Sequence, residues 1–327
     1  MTGSRRRDAV SKALMYRLAG TSALRHLDRL DRFGWNPVRH PDRASGRMKD
    51  MSEIDGMGTE RATCVLAPNP SVMTLDGTNT WIIAEPGSDA AVVVDPGPKD
   101  GRHLRRVLDV VEAQGRRVGL VLLTHGHPDH SAGAAKFAKL AGGSARGSAG
   151  GSAGGSAGGS VKVRALDPRH RLGDEGLGEG DVVTTGGLEL RIMETPGHSD
   201  DSLTFWLPAD GAVLTGDTVL GYGTTVLEGS LGDYLGSLDR LRAFSADVEA
   251  ATILPGHGPK LDDPIAVLDH YIDHRRERLA QVEAAVAAGA RTAREVVERV
   301  YVDVDRSLWH AAEASVQAQL EYLNGRG

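Results

Sequence analysis

The sequence predicts an α/β domain followed by a small C-terminal helical module. Short apolar, β-branched runs alternate with stretches of helical periodicity from about Cys64 to Gly258. Several of those runs end in glycine-containing turns that carry histidine or aspartate. From Asp263 onward the pattern is helical throughout.

Taken in order, residues 1–60 form a basic N-terminal extension without a clear ordered pattern. Residues 1–50 carry 12 Lys+Arg against 5 Asp+Glu, and the remaining 277 carry 26 against 39. Leu14, Leu18, Leu24, Leu27 and Leu30 fall roughly on one side of a helix. The segment reads as a loosely attached extension or an over-long gene start, because Met48, Met51 and Met57 precede the first clear strand. "NTWIIAE" and "AAVVVDPG" are buried strands ended by turn residues. "DGRHLRRVLDVVEAQG" is a helix with Asp100 at its start and Gly115 at its stop. "VGLVLLT" is a strand, "SAGAAKFAKLAGG" a short helix. "VKVRAL", "LELRIMET", "SLTFWLP", "AVLTGD" and "ATILPG" are later strands, with the helix "DYLGSLDRLRAF" between the last two. Residues 142–160 are a Gly-Ser-Ala-Gly repeat, natural or engineered, which cannot pack a core and reads as a flexible loop. Over 262–327, Pro264 and Thr292 signal helix starts and Gly289 and Gly325 stops.

The chemistry concentrates in "THGHPDH" (124–130), "TPGHS" (195–199), "TGDT" (215–218) and "PGHG" (255–258). Each follows a predicted strand, so each presents its polar residues on a loop held by a rigid scaffold. His125, His127, Asp129 and His130 are spaced unlike a helix face, which repeats every three or four residues. A loop leaving a strand, with side chains converging on a metal, fits that spacing. Of the other histidines, His270 and His274 lie four apart beside Asp273 and Arg275 and read as a solvated helix face. His26, His40, His103, His170 and His310 read as structural.

The order His-x-His-x-Asp-His, then a distant His, Asp and His, resembles the metallo-β-lactamase-fold hydrolase superfamily over roughly residues 64–260. The resemblance implies an αββα sandwich, drawn here over 61–261. It implies that His125, His127 and His198 bind one metal, that Asp129, His130 and His257 bind a second, and that Asp217 bridges them. It places Asp129, Asp217 and His257 in catalysis, with a shared hydroxide as nucleophile. Asp95 sits where the family has an aspartate that orients a ligand loop. Nitrogen and carboxylate ligands suit two Zn²⁺ ions, with Mn²⁺ or Fe also compatible.

Departures narrow the branch. Class B β-lactamases place cysteine where this chain has Asp217, and diiron flavoproteins place glutamate at His127. Large nuclease branches insert a domain after the bridging aspartate, but only 39 residues separate Asp217 from His257. "NPSVMTLDGTNTWII" (69–83) resembles the Asn-Pro…Gly-Thr-Asn-Thr turn of lactamase-beta-like proteins, which include an endoribonuclease and bacterial hydrolases. The C-terminal segment resembles their winged-helix-like module. Asn79 and Thr80 become candidate substrate contacts, against the simpler reading that Asp76-Gly77 makes a tight turn.

The expected function is a metal-dependent hydrolase. Single-stranded RNA is one substrate class, with a metal-activated attack on phosphorus. A glyoxalase II-like thioester or ester hydrolase is the alternative, followed by a mononuclear iron persulfide dioxygenase. A non-catalytic binding module would have lost ligands, and none is lost. Against RNA, the module carries 8 Arg and no Lys against 12 Asp+Glu, and Arg275, Arg276 and Arg278 read as a solvated face. No apolar run approaches the roughly 18 residues of a membrane span. Cys64 is the only cysteine, and "DAVSKALMYRLAG" after Arg5-Arg6-Arg7 is too polar for an export signal. A cytoplasmic location is therefore expected. The oligomeric state is not legible.

Overall fold

The computed structural model describes residues 54–144, 160–302 and 304–325. The basic arm up to residue 53 and residues 145–159 of the repeat lie outside the described residues.

Two sheets stack face to face. The first runs β1 (Ala62–Leu66), β2 (Asn79–Ile83), β3 (Ala90–Val94), β4 (Arg117–Leu122), β5 (Val163–Arg164) in that order. Its first three strands are antiparallel neighbours; β3, β4 and β5 are parallel. Parallel neighbours need a crossover, and α1 (Gly101–Ala113) makes the one from β3 to β4. Asp100 caps α1 by accepting from the backbone N–H of Arg102 and His103. The loop after β4 holds the one-turn α2 (Pro128–Ser131) and leads to α3 (Ala134–Ser144).

The second sheet contains β6 (Val182–Thr185), β7 (Leu188–Glu194), β8 (Leu203–Leu207), β9 (Ala212–Gly216), β10 (Thr252–Pro255) and β11 (Leu261–Asp262), in the order β11-β10-β9-β8-β7-β6. Only β9 and β10 pair in parallel, joined through α4 (Leu231–Asp247).

Side chains alternate across each strand, and that alternation builds three layers of contact. Trp81, Val92, Leu122, Leu190, Phe205 and Leu214 meet between the sheets. Ile82, Val93 and Val121 face outward onto α1 and α3. Trp206, Val213 and Ile253 face outward onto α4 and α5 (Pro264–Ala287). This is the expected αββα sandwich. The C-terminal module continues with α6 (Ala293–Val300), capped by Thr292, and α7 (Trp309–Leu323). The far half of α5 packs with α6 and α7 around Val282, Val296, Val297 and Val316. Its near half puts Leu268, Tyr271 and Ile272 into the same core as α4, so the module shares its core with the sandwich.

Three details differ from expectation. Ile54 is buried between the sheets, so the domain begins before the boundary drawn at 61. The repeat does not start as loop: Gly142–Ser144 complete α3, whose last hydroxyl donates to Glu112 on α1. The short edge-side strands β6 and β11 carry too little apolar alternation to be read from sequence. No helix among the described residues is long and apolar enough to cross a membrane.

Candidate metal centre

The loops that leave β3, β4, β7, β9 and β10 converge at one edge of the sandwich. An isolated bridge between Thr78 and His257 ties the two sheets together there. β4 delivers Thr124 and His125. Thr124 donates from its backbone N–H to Asp95 Oδ1 at 2.8 Å and from its hydroxyl to Asp95 Oδ2 at 2.6 Å. Asp95 follows β3 with φ +50°, a left-handed conformation that is costly for a residue with a Cβ. It is buried, and its Oδ2 also accepts from His130 Nδ1 at 2.9 Å. That bond turns His130 Nε2 inward. His127 precedes α2, Pro128 supplies the first helical position, and the single turn brings Asp129 and His130 to the same point.

His198 and His257 are oriented in the same manner. His198 Nδ1 donates to Val226 O at 2.8 Å, and its Nε2 lies 3.0 Å from His127 Nδ1. His257 Nδ1 donates to Gly77 O at 2.9 Å. Its Nε2 lies 3.2 Å from His130 Nε2, and also 3.2 Å from Asp129 Oδ2 and from Asp217 Oδ2. Three overlapping triads result: His125, His127, His198; His125, His130, Asp217; and Asp129, His130, His257. Within each, one ligand atom per residue lies within 4.8 Å of the others. All seven residues of the sequence pattern are brought together.

The electrostatics are those of a site that wants positive charge. Burial, reinforced by His130 and His198, holds His125 well below the ordinary histidine range, so its ring is neutral. Burial would also neutralise His130, but Asp217 and Asp95 outweigh it and hold His130 well above that range. For His257 the pull of burial is overcome by Asp217 and Asp129, and its pKa is pushed up to about 9. Burial opposes ionisation of Asp217, yet His257 and His130 keep it far below the usual carboxylate range.

The residues fit a divalent cation. Nε2 of His125 and Oδ1 of Asp217 are buried with no hydrogen-bond partner, a costly state unless something binds them. Ring nitrogens of two imidazole pairs, His127–His198 and His130–His257, face each other at 3.0 and 3.2 Å. Imidazole and carboxylate donors without thiolate suit zinc, manganese or iron. Gly256 leaves room for the cluster: a Cβ there would lie 2.4 Å from Asp217 Oδ1 and 2.9 Å from His130 Cε1.

Asn79 and Thr80, the candidate substrate contacts, are fully buried. Asn79 Nδ2 donates to Pro255 O at 2.9 Å and Gly258 O at 2.8 Å, clamping the His257 loop. Thr80 donates to Asp95 O at 2.8 Å and meets His103 Nε2 at 3.0 Å. They hold the loops that carry His257 and Asp95 and present no face to a substrate. The tight-turn reading is the one the geometry favours: Gly77 adopts φ +137° and bonds back to Thr74 O. Sequence reasoning missed Thr78, whose hydroxyl donates to Asp129 Oδ2 at 3.1 Å and accepts from Asn69 Nδ2 at 3.0 Å. Its signal was the Gly-Thr-Asn-Thr run itself, read one residue too late.

Three further expectations are corrected. Arg275 is only 5% exposed, because α5 packs Tyr271, Ile272 and Arg275 inward beneath α4; the solvated face carries Asp273, Arg276 and Glu277. On the same helix His270 and His274 are partly buried, and burial lowers the His274 pKa to about 3. His170, read as structural, stands in the wall of a cleft of about 390 Å³ beside His127, with Asp167, Arg169, Asp200 and Asp201.

The Metallo-beta-lactamase superfamily profile matches residues 73–257, and the Beta-lactamase associated winged helix domain profile matches 292–327. A Beta-lactamase-like protein 2 homolog of Drosophila melanogaster is 29% identical over 80% of this chain and 87% of its own. Lactamase-like protein adaB of Aspergillus niger is 31% identical over 70% of this chain and 64% of its own. An atrochrysone carboxyl ACP thioesterase of Aspergillus fumigatus is 30% identical over 77% and 76%. A Beta-lactamase domain protein from Burkholderia ambifaria has the same fold, with a TM-score of 0.63 and 22% identity over 86% of this chain and 91% of that one.

Proposed function

The chain belongs to the metallo-β-lactamase superfamily, and from that membership and its site we propose a hydrolase that uses two divalent cations to cleave a small acyl thioester or ester. His125, His127 and His198 would hold one ion and Asp129, His130 and His257 the other, with Asp217 available to both. The donor set favours Zn²⁺. Bound ions supply Lewis-acid polarisation of the scissile carbonyl and lower the pKa of the attacking water.

The protein's own groups organise that chemistry. Asp95, Gly77 O and Val226 O fix three ligand rings with Nε2 inward. The Asp129 side chain is a quarter exposed while its neighbour His130 is sealed. Asp129 is thus the carboxylate placed to take a proton from a nucleophile arriving from solvent, and Thr78 holds it in place.

The charge at the mouth carries the choice of substrate. Asp167, Asp200 and Asp201 line the cleft beside His127, and Glu228 Oε2 lies 3.1 Å from His127 Nε2. Arg169, the guanidinium that lines it among the described residues, is engaged by Asp167 at 2.8 Å. A polyanion needs the opposite sign of charge. The arginine cluster on α5 offers no substitute: Arg275 is buried, Arg276 lies 3.6 Å from Asp239, and Arg278 bonds Gln281 and Val300 O. The turn whose resemblance suggested RNA is used to hold metal ligands. The thioesterase relative supports the acyl reading.

The test is hydrolysis of a panel of small acyl thioesters and esters by zinc-loaded protein, beside a labelled single-stranded RNA, with Asp129→Ala as control. Thiol release by wild type that falls at least a hundredfold in the variant supports the proposal. RNA cleavage lost in the variant, with no acyl cleavage, would overturn the substrate class. A single bound iron with oxygen uptake would move the protein to the persulfide dioxygenase reading.

A further inference from the structure

We infer that Arg275, on α5 in the C-terminal module, is a positioning residue for the metal centre. It holds the loop that orients His198 and carries the Thr225 hydroxyl, which donates to the Asp217 carbonyl. This inference rests on the metal-site reading above.

Arg275 is an unusual buried charge. It is 5% exposed, its Nε has no hydrogen-bond partner, and among the described residues no carboxylate forms an ion pair with it. Burying an unpaired guanidinium is unfavourable, so its place calls for a local reason. Its Nη2 donates to the carbonyl of Thr225, and the guanidinium carbon lies 5.1 Å from the centroid of the Tyr234 ring. The ring face compensates part of the desolvation.

Thr225 is where the loop between β9 and α4 meets the ligands. Its hydroxyl donates to the Asp217 carbonyl and lies 3.4 Å from His198 Nδ1. The next carbonyl, Val226 O, accepts from His198 Nδ1 at 2.8 Å. One short stretch of backbone is therefore pinned by Arg275 on one side and sets the His198 ring on the other. A turn of that backbone would remove the acceptor that keeps His198 Nε2 facing His127.

The loop has little regular structure of its own, and the C-terminal helices hold it elsewhere too. Tyr271, one turn before Arg275, accepts from Leu220 N at 2.9 Å and donates to the carbonyls of Leu220 and Gly223 at 3.2 and 3.3 Å. Ser315 on α7 accepts from Leu227 N at 3.4 Å. Tyr234, under the guanidinium, donates to Thr218 O, next to Asp217. The C-terminal module thus frames the side of the site built from His198 and Asp217, while Thr78 and Asn69 frame the side built from Asp129 and His257.

The experiment compares wild type with Arg275→Met, which keeps the volume and removes the donors, and Arg275→Lys, which keeps the charge and loses the fork. Zinc stoichiometry and affinity are read by chelator competition, the visible spectrum with Co²⁺, and thermal stability after metal stripping. Arg275→Met is expected to weaken one of two ions by 10- to 100-fold, the range for lost ligand orientation. It should also alter the Co²⁺ spectrum, with Arg275→Lys intermediate. Unchanged affinity and spectrum would overturn the inference. So would a lower metal-free Tm with wild-type affinity in the folded fraction, which marks a purely structural role. If Arg275→Met does not fold, Tyr271→Phe makes the same comparison, because it removes the adjacent grip on the loop. A wild type that binds no metal would sink the metal-centre reading itself, a result distinct from equal loading of both proteins.

Discussion

Thr78 shows how much of this site depends on residues that touch no substrate. Its hydroxyl connects Asn69 to Asp129, and its position beside Gly77 places the carbonyl that orients His257. Thr78→Val keeps the shape and removes the donor. Zinc affinity is expected to fall about 10- to 100-fold, with a Tm within a few degrees of wild type; chelator competition checks it. His103 allows a test free of metal. Burial, aided by Arg106, lowers its folded pKa to about 4 from an unfolded value of 6.5, while Asp100 and Asp55 oppose the shift. The unfolded chain then binds more protons between those values. The stability contributed by neutral His103 is complete above pH 6.5 and is lost as pH falls towards 4. Between pH 7 and pH 5 the metal-stripped protein should lose about 2 kcal/mol through this group. Urea unfolding of wild type against His103→Gln measures it, and equal pH slopes would refute it.

At the scale of elements, each loop of the candidate site is short, follows a strand and turns on a glycine or proline. That economy leaves no spare volume. Gly256→Ala would drive a methyl group against Asp217 and His130, with Cβ contacts of 2.4 and 2.9 Å. Loss of at least one equivalent of bound zinc in a still-folded protein is the expected outcome, read by metal analysis and circular dichroism. Gly236 on α4 is the contrast: nothing lies within 4 Å of its Cβ direction. Gly236→Ala should raise stability by about 0.5–1 kcal/mol and leave metal content unchanged.

At the scale of the whole molecule, the C-terminal helices complete the sandwich as well as the site. Leu268, Tyr271 and Ile272 cover Trp206, Leu231, Tyr234 and Leu238. A chain ending at residue 262 uncovers that apolar surface, and its cooperative thermal transition should disappear in a temperature scan. Metal should stabilise the same assembly by linkage. Free zinc at 1,000 times its Kd adds about 4 kcal/mol, so chelation should lower the Tm of wild type, and Asp217→Asn should shrink the difference.

The sequence by itself made legible the alternation of the longer strands and helices, the helix caps at Asp100 and Thr292, and the seven His and Asp residues that the structure gathers at one edge of the sandwich. Strand alternation and capping are local signals, and the ligands of this site follow strand ends in a recognisable order. Tertiary structure alone decided which neighbours support them. Thr78, Asn79 and Thr80 have similar small polar side chains in one run, yet only packing against the loops of Asp129, His257 and Asp95 tells them apart. Arg275 is indistinguishable in sequence from Arg276, since both lie in one charged stretch of helix. The rotation of α5 against α4 buries one guanidinium beside Thr225 and leaves the other in solvent, because a helix face is chosen by its partner surface.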